Sequence, residues 1–126
     1  MGIVVGYLAT PEGRAALDAA VDEARVRDVP VMVVVSARPD ERAAVESGLA
    51  DVERELTARE VRHEIRLLEG GDVADDLIAT AEDCAAQLIV IGVRRRSPVG
   101  KLVLGSNAQR VLVGAPCAVL TVKPQP

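Results

Sequence analysis

The segment GVRRRSPVGKLVLGS, from Gly92 to Ser106, concentrates the residues of this sequence whose chemistry suits an anion. Three consecutive arginines, Arg94, Arg95 and Arg96, follow a short apolar run, and the segment closes on Gly105 and Ser106. Guanidinium groups bind phosphate through paired, charge-assisted hydrogen bonds. The first backbone amides of a helix have no partner within the helix and attract anions. The segment therefore predicts a phosphate-binding loop that ends on a helix amino terminus.

Ordinary structural roles also explain these residues. SNAQ fits a capping box in which Ser106 is the N-cap of the next helix and pairs with Gln109. The arginines alone also fit a solvated loop that balances an acidic surface. Two familiar phosphate loops are excluded, because Arg95 and Leu102 break the P-loop pattern and G-x-G-x-x-G is missing after the first strand.

Short runs rich in β-branched residues alternate with segments of helical periodicity along the chain. The predicted elements are β1 (2–7), α1 (11–27), β2 (31–36), α2 (39–60), β3 (63–68), α3 (73–86), β4 (87–92), α4 (106–113) and β5 (117–122). This order predicts an α/β fold, an open parallel sheet with helices on both faces, in a single domain over 1–126. Ligands of such sheets bind outside the carboxyl ends of the strands, where β1 and β4 both end.

Composition excludes several classes of function. A net charge of −4 and a single aromatic residue, Tyr7, argue against a nucleic-acid binder, which needs a basic face and stacking platforms. No apolar run approaches the roughly 18 residues of a membrane span, and the start of the sequence lacks a signal-peptide pattern. A cytoplasmic protein without a membrane or nucleic-acid partner is the expectation.

Other reactive residue types lack the neighbours that catalysis or metal binding needs. Cys84 and Cys117 match no redox or zinc spacing and are predicted to be buried, small apolar residues. His63, the only histidine, is predicted to lie on the surface of an edge strand. No catalytic residue and no metal site are predicted.

The sequence resembles the universal stress protein (UspA-like) family, whose nucleotide-binding members carry G-x2-G-x9-G-[ST] after the fourth strand. Gly92, Gly105 and Ser106 match this motif in type and spacing, while Arg95 stands at its middle glycine. The opening IVVGYLATPEGRAAL and the closing GSNAQRVLVGAPCAVLTVKP also resemble the family, so the resemblance covers essentially the whole chain.

The resemblance implies the strand order 3-2-1-4-5 of the adenine nucleotide alpha hydrolase-like (Rossmann-like) folds, and ATP or another adenine nucleotide as the ligand. Leu8 occupies the position of the family's nucleoside-binding aspartate, and the adenine side falls near Ala37. Apart from the resemblance, Tyr7 at the carboxyl end of β1 is expected either to form a wall of the cavity or to fill it. The positions implied for the phosphates are Gly92, Arg94, Arg95, Gly105, Ser106 and Asn107.

Two departures from the family pattern leave the function open between two hypotheses. Leu8 supplies no carboxylate, and a missing buried hydrogen bond to a ligand costs about 1 to 3 kcal/mol. The β-carbon of Arg95 also stands where the family has glycine. The first hypothesis is a stress-response domain that binds an adenine nucleotide or another phosphate-bearing ligand. The second is a protein-interaction module of the same fold without a nucleotide, and neither is an enzyme beyond slow adventitious ATP hydrolysis.

The last strand, Cys117 to Val122, carries a prediction about assembly. In the implied order it is the far edge of the sheet, and both of its faces are largely apolar. An apolar edge strand favours pairing with another strand. Antiparallel contact of this strand, which the resemblance implies, predicts a homodimer in addition to unknown protein partners.

Overall fold

The computed structural model describes residues 1–69, 72–94 and 105–124. Five strands and four α-helices alternate along them, with a short 3₁₀ helix before the second α-helix. Their bounds are β1 Ile3–Gly6, α1 Pro11–Arg27, β2 Val31–Ala37, the 3₁₀ helix Pro39–Glu41, α2 Arg42–Ala58, β3 His63–Glu69, α3 Val73–Asp83, β4 Leu88–Gly92, α4 Ser106–Gly114 and β5 Ala118–Val122. None of the described helices has the length and apolar character needed to cross a membrane.

All five strands are parallel and lie in the order β3-β2-β1-β4-β5, which confirms the predicted fold class. In the central strand, Ile3 pairs with Val31 of β2 on one side and with Leu88 of β4 on the other. Val4 and Val5 are fully buried, because helices cover the sheet on both faces.

Alternate residues of the central strands belong to two separate apolar layers. Ile3 and Val5 point to the face covered by α1 and α2, where Leu17 and Leu56 are fully buried. Val4 points to the opposite face, covered by α3 and α4. Burying each such side chain stabilises the fold by about 1.5 to 3 kcal/mol. The two layers therefore hold all four helices against one sheet.

Helices α1 and α3 each begin after a residue whose side chain caps the helix. The Thr10 hydroxyl accepts a hydrogen bond from the Gly13 amide at 3.1 Å, and Pro11 is the first helical residue. Asp72 caps α3 in the same way, accepting from the Asp75 amide at 3.1 Å. Both caps lie beside the carboxyl ends of the strands.

Three predicted helix bounds were wrong by two residues or more. Helix α2 ends at Ala58 instead of residue 60, and Glu60 has a φ of 57°. Helix α2 begins at Arg42, because residues 39–41 form the 3₁₀ helix. Helix α3 ends at Asp83 instead of residue 86, because Ala85 has a φ of 50° and the Ala86 amide bonds back to the Ala81 carbonyl at 2.9 Å. This left-handed turn redirects the chain into β4, and a regular helix cannot contain it.

His63 is more buried than the prediction of a surface histidine allowed. Its side chain is 10% exposed, with Nδ1 at 2.7 Å from the Val61 carbonyl oxygen and Nε2 at 2.7 Å from Glu53 Oε1. A carbonyl and a carboxylate only accept hydrogen bonds, so both ring nitrogens donate when the imidazole is protonated. Burial lowers the pKa of His63, but the bonds to Val61 and Glu53 outweigh it and the pKa lies above 6.5.

This arrangement predicts a pH-dependent contribution to stability. A raised folded-state pKa stabilises the protein below the unfolded value, and the contribution disappears as the pH rises through the folded value. We expect His63→Gln to cost about 0.5 to 1 kcal/mol more free energy of unfolding at about pH 5.5 than at about pH 8.5. Urea denaturation at both values measures this. Glu53→Gln is the matched control and should show the same trend; an equal cost of His63→Gln at both values would contradict the prediction.

Candidate functional site

A cavity of about 490 Å³ opens at the carboxyl ends of β1 and β4. Its walls come from the two loops that leave these strands and from the amino-terminal halves of α3 and α4. The described residues that line it are Gly6, Tyr7, Leu8, Thr10, Glu12, Val34, Ser36, Val73, Leu77, Ile91, Gly92, Val93, Arg94, Gly105, Ser106, Asn107, Ala108 and Val111. Seven of the nine residues predicted for the site are among them.

The amino end of α4 carries no side-chain cap among the described residues. Gly105 is the N-cap, Ser106 is the first helical residue, and the Gln109 amide makes an ordinary helical bond to the Gly105 carbonyl at 3.1 Å. The predicted capping box between Ser106 and Gln109 was therefore wrong, because Ser106 already lies inside the helix. The first amides of α4, at Ser106 and Asn107, have no acceptor within the helix and border the cavity.

Arg94 adds a positive side chain to the same cavity. The strand ends just before it, where the Val93 amide donates to the Val122 carbonyl at 2.8 Å, and Arg94 itself is exposed. Arg94 is the one described arginine with no hydrogen bond to another described residue. The other described arginines all donate to a carboxylate or a carbonyl: Arg14, Arg25, Arg27, Arg38, Arg42, Arg54, Arg59, Arg62, Arg66 and Arg110. Arg95, the remaining predicted phosphate position, lies outside the described residues.

Gly92, predicted for the phosphates, has an architectural reason to be glycine. A β-carbon at Gly92 would collide with the Glu12 carbonyl oxygen in the first turn of α1. Gly13 of the same turn is equally restricted, because its β-carbon would meet the Leu8 carbonyl oxygen. The end of β4, the first turn of α1 and the loop after β1 are thus in direct backbone contact. This contact fixes the rim of the cavity.

The loop after β1 presents an apolar side chain to the cavity. Leu8 is 53% exposed, and its carbonyl accepts from the Thr10 amide at 2.8 Å, which holds the loop in place. Tyr7 lines the same wall, and its amide bonds to the Val34 carbonyl at 3.0 Å. Glu12 is the only carboxylate among the described lining residues. Leu8 itself therefore offers no hydrogen-bond acceptor from its side chain.

At the end of β2, Ser36 and not Ala37 lines the cavity. Ala37 is 6% exposed and is not among the lining residues, because neighbouring residues of a strand point to opposite faces of the sheet. The Ser36 hydroxyl donates to Asp76 Oδ2 of α3 at 2.6 Å, so its oxygen remains able to accept a further hydrogen bond. Sequence reasoning missed this pair, whose members lie 40 residues apart.

The cysteines lie away from this cavity. Cys84 and Cys117 are half-buried and pack against the apolar layer of α3 and α4. Burial, with a smaller effect of Cys84, raises the pKa of the Cys117 thiol, which disfavours the reactive thiolate. Within the described ranges, no group of three or more histidine, cysteine or acidic residues is placed to hold a metal ion.

Comparison with known proteins identifies relatives along nearly the whole chain. A family model described as the universal stress protein family matches residues 1–123. A universal stress protein of Mycolicibacterium smegmatis is 44% identical over 126 residues, which covers 97% of each chain.

Solved structures show the same similarity. The structure of a universal stress protein from Archaeoglobus fulgidus superimposes with a TM-score of 0.84 at 33% identity, covering 98% of both chains. A structure of the universal stress protein from the same organism in complex with dAMP gives a TM-score of 0.79 at 27% identity, again over 98% of both chains.

The backbone contact at Gly92 predicts a large loss of stability on a minimal substitution. We expect Gly92→Ala to lower the free energy of unfolding by about 2 kcal/mol or more, because backbone atoms must move apart. Gly48→Ala is the matched control: no atom lies within 4 Å of its β-carbon, and it sits within α2. There alanine should raise stability by about 0.5 to 1 kcal/mol. Urea denaturation measures the free energy of unfolding of both variants. Equal changes in the two variants would refute the assigned role of Gly92.

Proposed function

This chain belongs to the universal stress protein family, and we propose that it binds an adenine nucleotide, or another phosphate-bearing ligand, in the cavity between β1 and β4. The observation that carries the proposal is that two positive groups without a side-chain partner among the described residues border one cavity. These are the guanidinium of Arg94 and the uncapped amino end of α4. A positive helix end and a free guanidinium together favour an anion there.

The phosphates belong at the α4 end of the cavity. Ser106, Asn107 and Arg94 all line the cavity, and all three are exposed. A helix amino terminus binds phosphate through its first amides. The dAMP complex of the A. fulgidus relative, which has the same fold, supports an adenine nucleotide as the ligand.

The nucleoside belongs at the opposite end, against β1 and β2. Tyr7, Leu8 and Val34 offer an apolar wall, and the Ser36 oxygen offers one acceptor. Since Leu8 supplies no carboxylate, one hydrogen bond worth about 1 to 3 kcal/mol is missing, which weakens binding roughly ten- to a hundredfold. The phosphates therefore carry most of the proposed affinity.

The same arrangement favours binding over catalysis. Glu12 is the one carboxylate among the described lining residues, and its backbone carbonyl is packed against Gly92 in the first turn of α1. General-base catalysis needs a base with a pKa near the working pH and within reach of the attacking water. We propose a ligand-responsive stress protein without turnover beyond slow adventitious hydrolysis.

The second candidate function is a protein-interaction module of the same family that needs no nucleotide. The exposed isobutyl group of Leu8 favours it, because it removes a polar contact from the nucleoside end. Arg94 would then contact an acidic partner at the rim of the cavity. A titration with nucleotides distinguishes the two candidates.

Assembly into a homodimer through β5 is part of the proposal. The strand is one edge of the sheet and carries no charge, whereas the opposite edge, β3, carries Glu64 and Arg66. Leu120 on β5 and Leu112 on α4 are 36% and 41% exposed. Uncharged edge strands pair readily, and charged ones resist pairing.

A cytoplasmic location completes the proposal. Cys84 and Cys117 are both free thiols, a state that the reducing cytosol maintains. The expected partners are the ligand, a second copy of the chain and other proteins, and neither nucleic acid nor a membrane.

The proposed phosphate end predicts opposite effects of Asn107→Asp on binding and on stability. A carboxylate in the first turn of α4 should raise stability by about 0.3 to 1 kcal/mol through the helix dipole. The same charge should repel phosphate and weaken ATP binding by about tenfold or more. Calorimetric titration with ATP and AMP and urea denaturation measure the two effects. Asn107→Ser is the neutral control, and no heat for wild type up to about 1 mM nucleotide would refute nucleotide binding.

The edge strand predicts a change of mass in solution. Light scattering at micromolar concentration should give twice the chain mass of 13.3 kDa for the wild type. Leu120→Lys should give the monomer, because a charge on this strand disfavours pairing. Val26→Lys is the matched control, since Val26 is 82% exposed on α1. A monomeric wild type would contradict the predicted homodimer.

A further inference from the structure

A guanidinium beside the cavity joins the two helices that form one of its walls. Arg110 of α4 donates to Asp72 Oδ2 at 2.5 Å and to Asp75 Oδ1 at 2.6 Å, and both carboxylates lie at the amino end of α3. The neighbouring residues on each side, Val73 and Val111, line the cavity. The ion pairs therefore bridge the gap between α3 and α4 at the cavity wall.

We propose that Arg110 is a positioning residue for the ligand cavity, which it serves by fixing the amino end of α4 and by neutralising Asp72 and Asp75. The inference rests on the proposed binding of a phosphate-bearing ligand. It assigns to Arg110 no direct contact with that ligand, because its guanidinium is occupied by the two aspartates.

Helix α4 is short, and most of its residues are exposed. It spans nine residues, and Val111 is its only buried side chain. Near its carboxyl end, Gly114 approaches the Ile78 side chain of α3 closely enough that a β-carbon would lie 2.9 Å away. Apolar packing of Ala108 and Val111 holds one side of the helix, and Arg110 adds a charged link from its centre to the amino end of α3.

The charges around this end make Arg110 necessary for an anion site. The hydrogen bond from Arg110, with a smaller effect of the Asp75 amide, holds the pKa of Asp72 below its usual value, so Asp72 is ionised at neutral pH. The two aspartates lie on either side of the lining residue Val73 in the sequence, and without Arg110 no side-chain cation among the described residues would neutralise their charges near the cavity. Two carboxylates so placed would oppose the attraction of the helix end.

The test compares nucleotide affinity and stability in four variants of the full chain, with ATP as the calorimetric probe. Arg110→Gln should weaken ATP binding about five- to tenfold, and Arg110→Lys should keep it within about threefold of wild type. Asp75→Asn should tighten ATP binding about two- to threefold, because one negative charge is removed while the ion pair between Arg110 and Asp72 remains. The double variant Asp75→Asn/Arg110→Gln should recover part of the ATP affinity that Arg110→Gln alone loses.

The salt dependence of ATP binding distinguishes this electrostatic role of Arg110 from a purely structural one. The loss in Arg110→Gln should shrink at about 0.5 M salt, which screens charges a few ångströms apart. The free energy of unfolding should change by less than about 1 kcal/mol, as is usual for exposed ion pairs. A salt-independent loss that follows a large drop in stability would overturn the inference.

The remaining outcomes distinguish the inference from the proposed function. Wild type that binds ATP with the same affinity as Arg110→Gln overturns the role of Arg110 and leaves nucleotide binding intact. Wild type without heat for ATP overturns both. Should Arg110→Gln fail to fold, Asp75→Asn alone still decides, since unchanged or weaker binding in that variant contradicts the predicted charge effect.

Discussion

A backbone contact between the end of β4 and the first turn of α1 fixes the rim of the cavity in this protein. Gly92 lies against the Glu12 carbonyl, and Gly13 lies against Leu8 in the loop after β1. Neither contact tolerates a β-carbon, so these elements approach more closely than any other residue type permits. The two central strands consequently end beside the start of α1. The cavity opens at this point, between the strand ends and the amino-terminal parts of α3 and α4.

The alternation of side chains along β2 determines which of its residues line the cavity. Val34 and Ser36 of β2 point to the face of α3 and α4, while Val35 and Ala37 point to the face of α1 and α2. A shift of β2 by one residue would therefore place the methyl group of Ala37 at the cavity wall in place of the Ser36 hydroxyl. The bond from Ser36 to Asp76 then ties the end of β2 to α3 and orients the Ser36 oxygen at the cavity wall.

The sequence predicted the elements better than the contacts between them. Caps such as Thr10 and Asp72 are local signals, and the β-branched runs reflect burial on both faces, so both can be recognised without coordinates. The strand order followed from a family resemblance, because periodicity does not specify which strands are neighbours. The bonds of Ser36 and Arg110 reach partners 40 and 38 residues away, and only the packed helices bring them together. The capping box at Ser106 failed because the helix begins one residue earlier than that motif requires.

Under the proposed function, the polarity of the cavity determines what the protein can distinguish. Its positive groups, Arg94 and the first amides of α4, lie at one end, whereas Leu8 leaves the other end with a single oriented acceptor. A site that gains most of its binding energy from phosphates separates ligands by phosphate number and charge more strongly than by base or sugar. Charge-assisted hydrogen bonds are roughly twice as strong as neutral ones, and apolar contacts discriminate weakly between similar rings. Such a protein would respond to the phosphorylation state of a nucleotide pool. That response needs fewer specific contacts with the nucleoside than the recognition of one particular nucleoside.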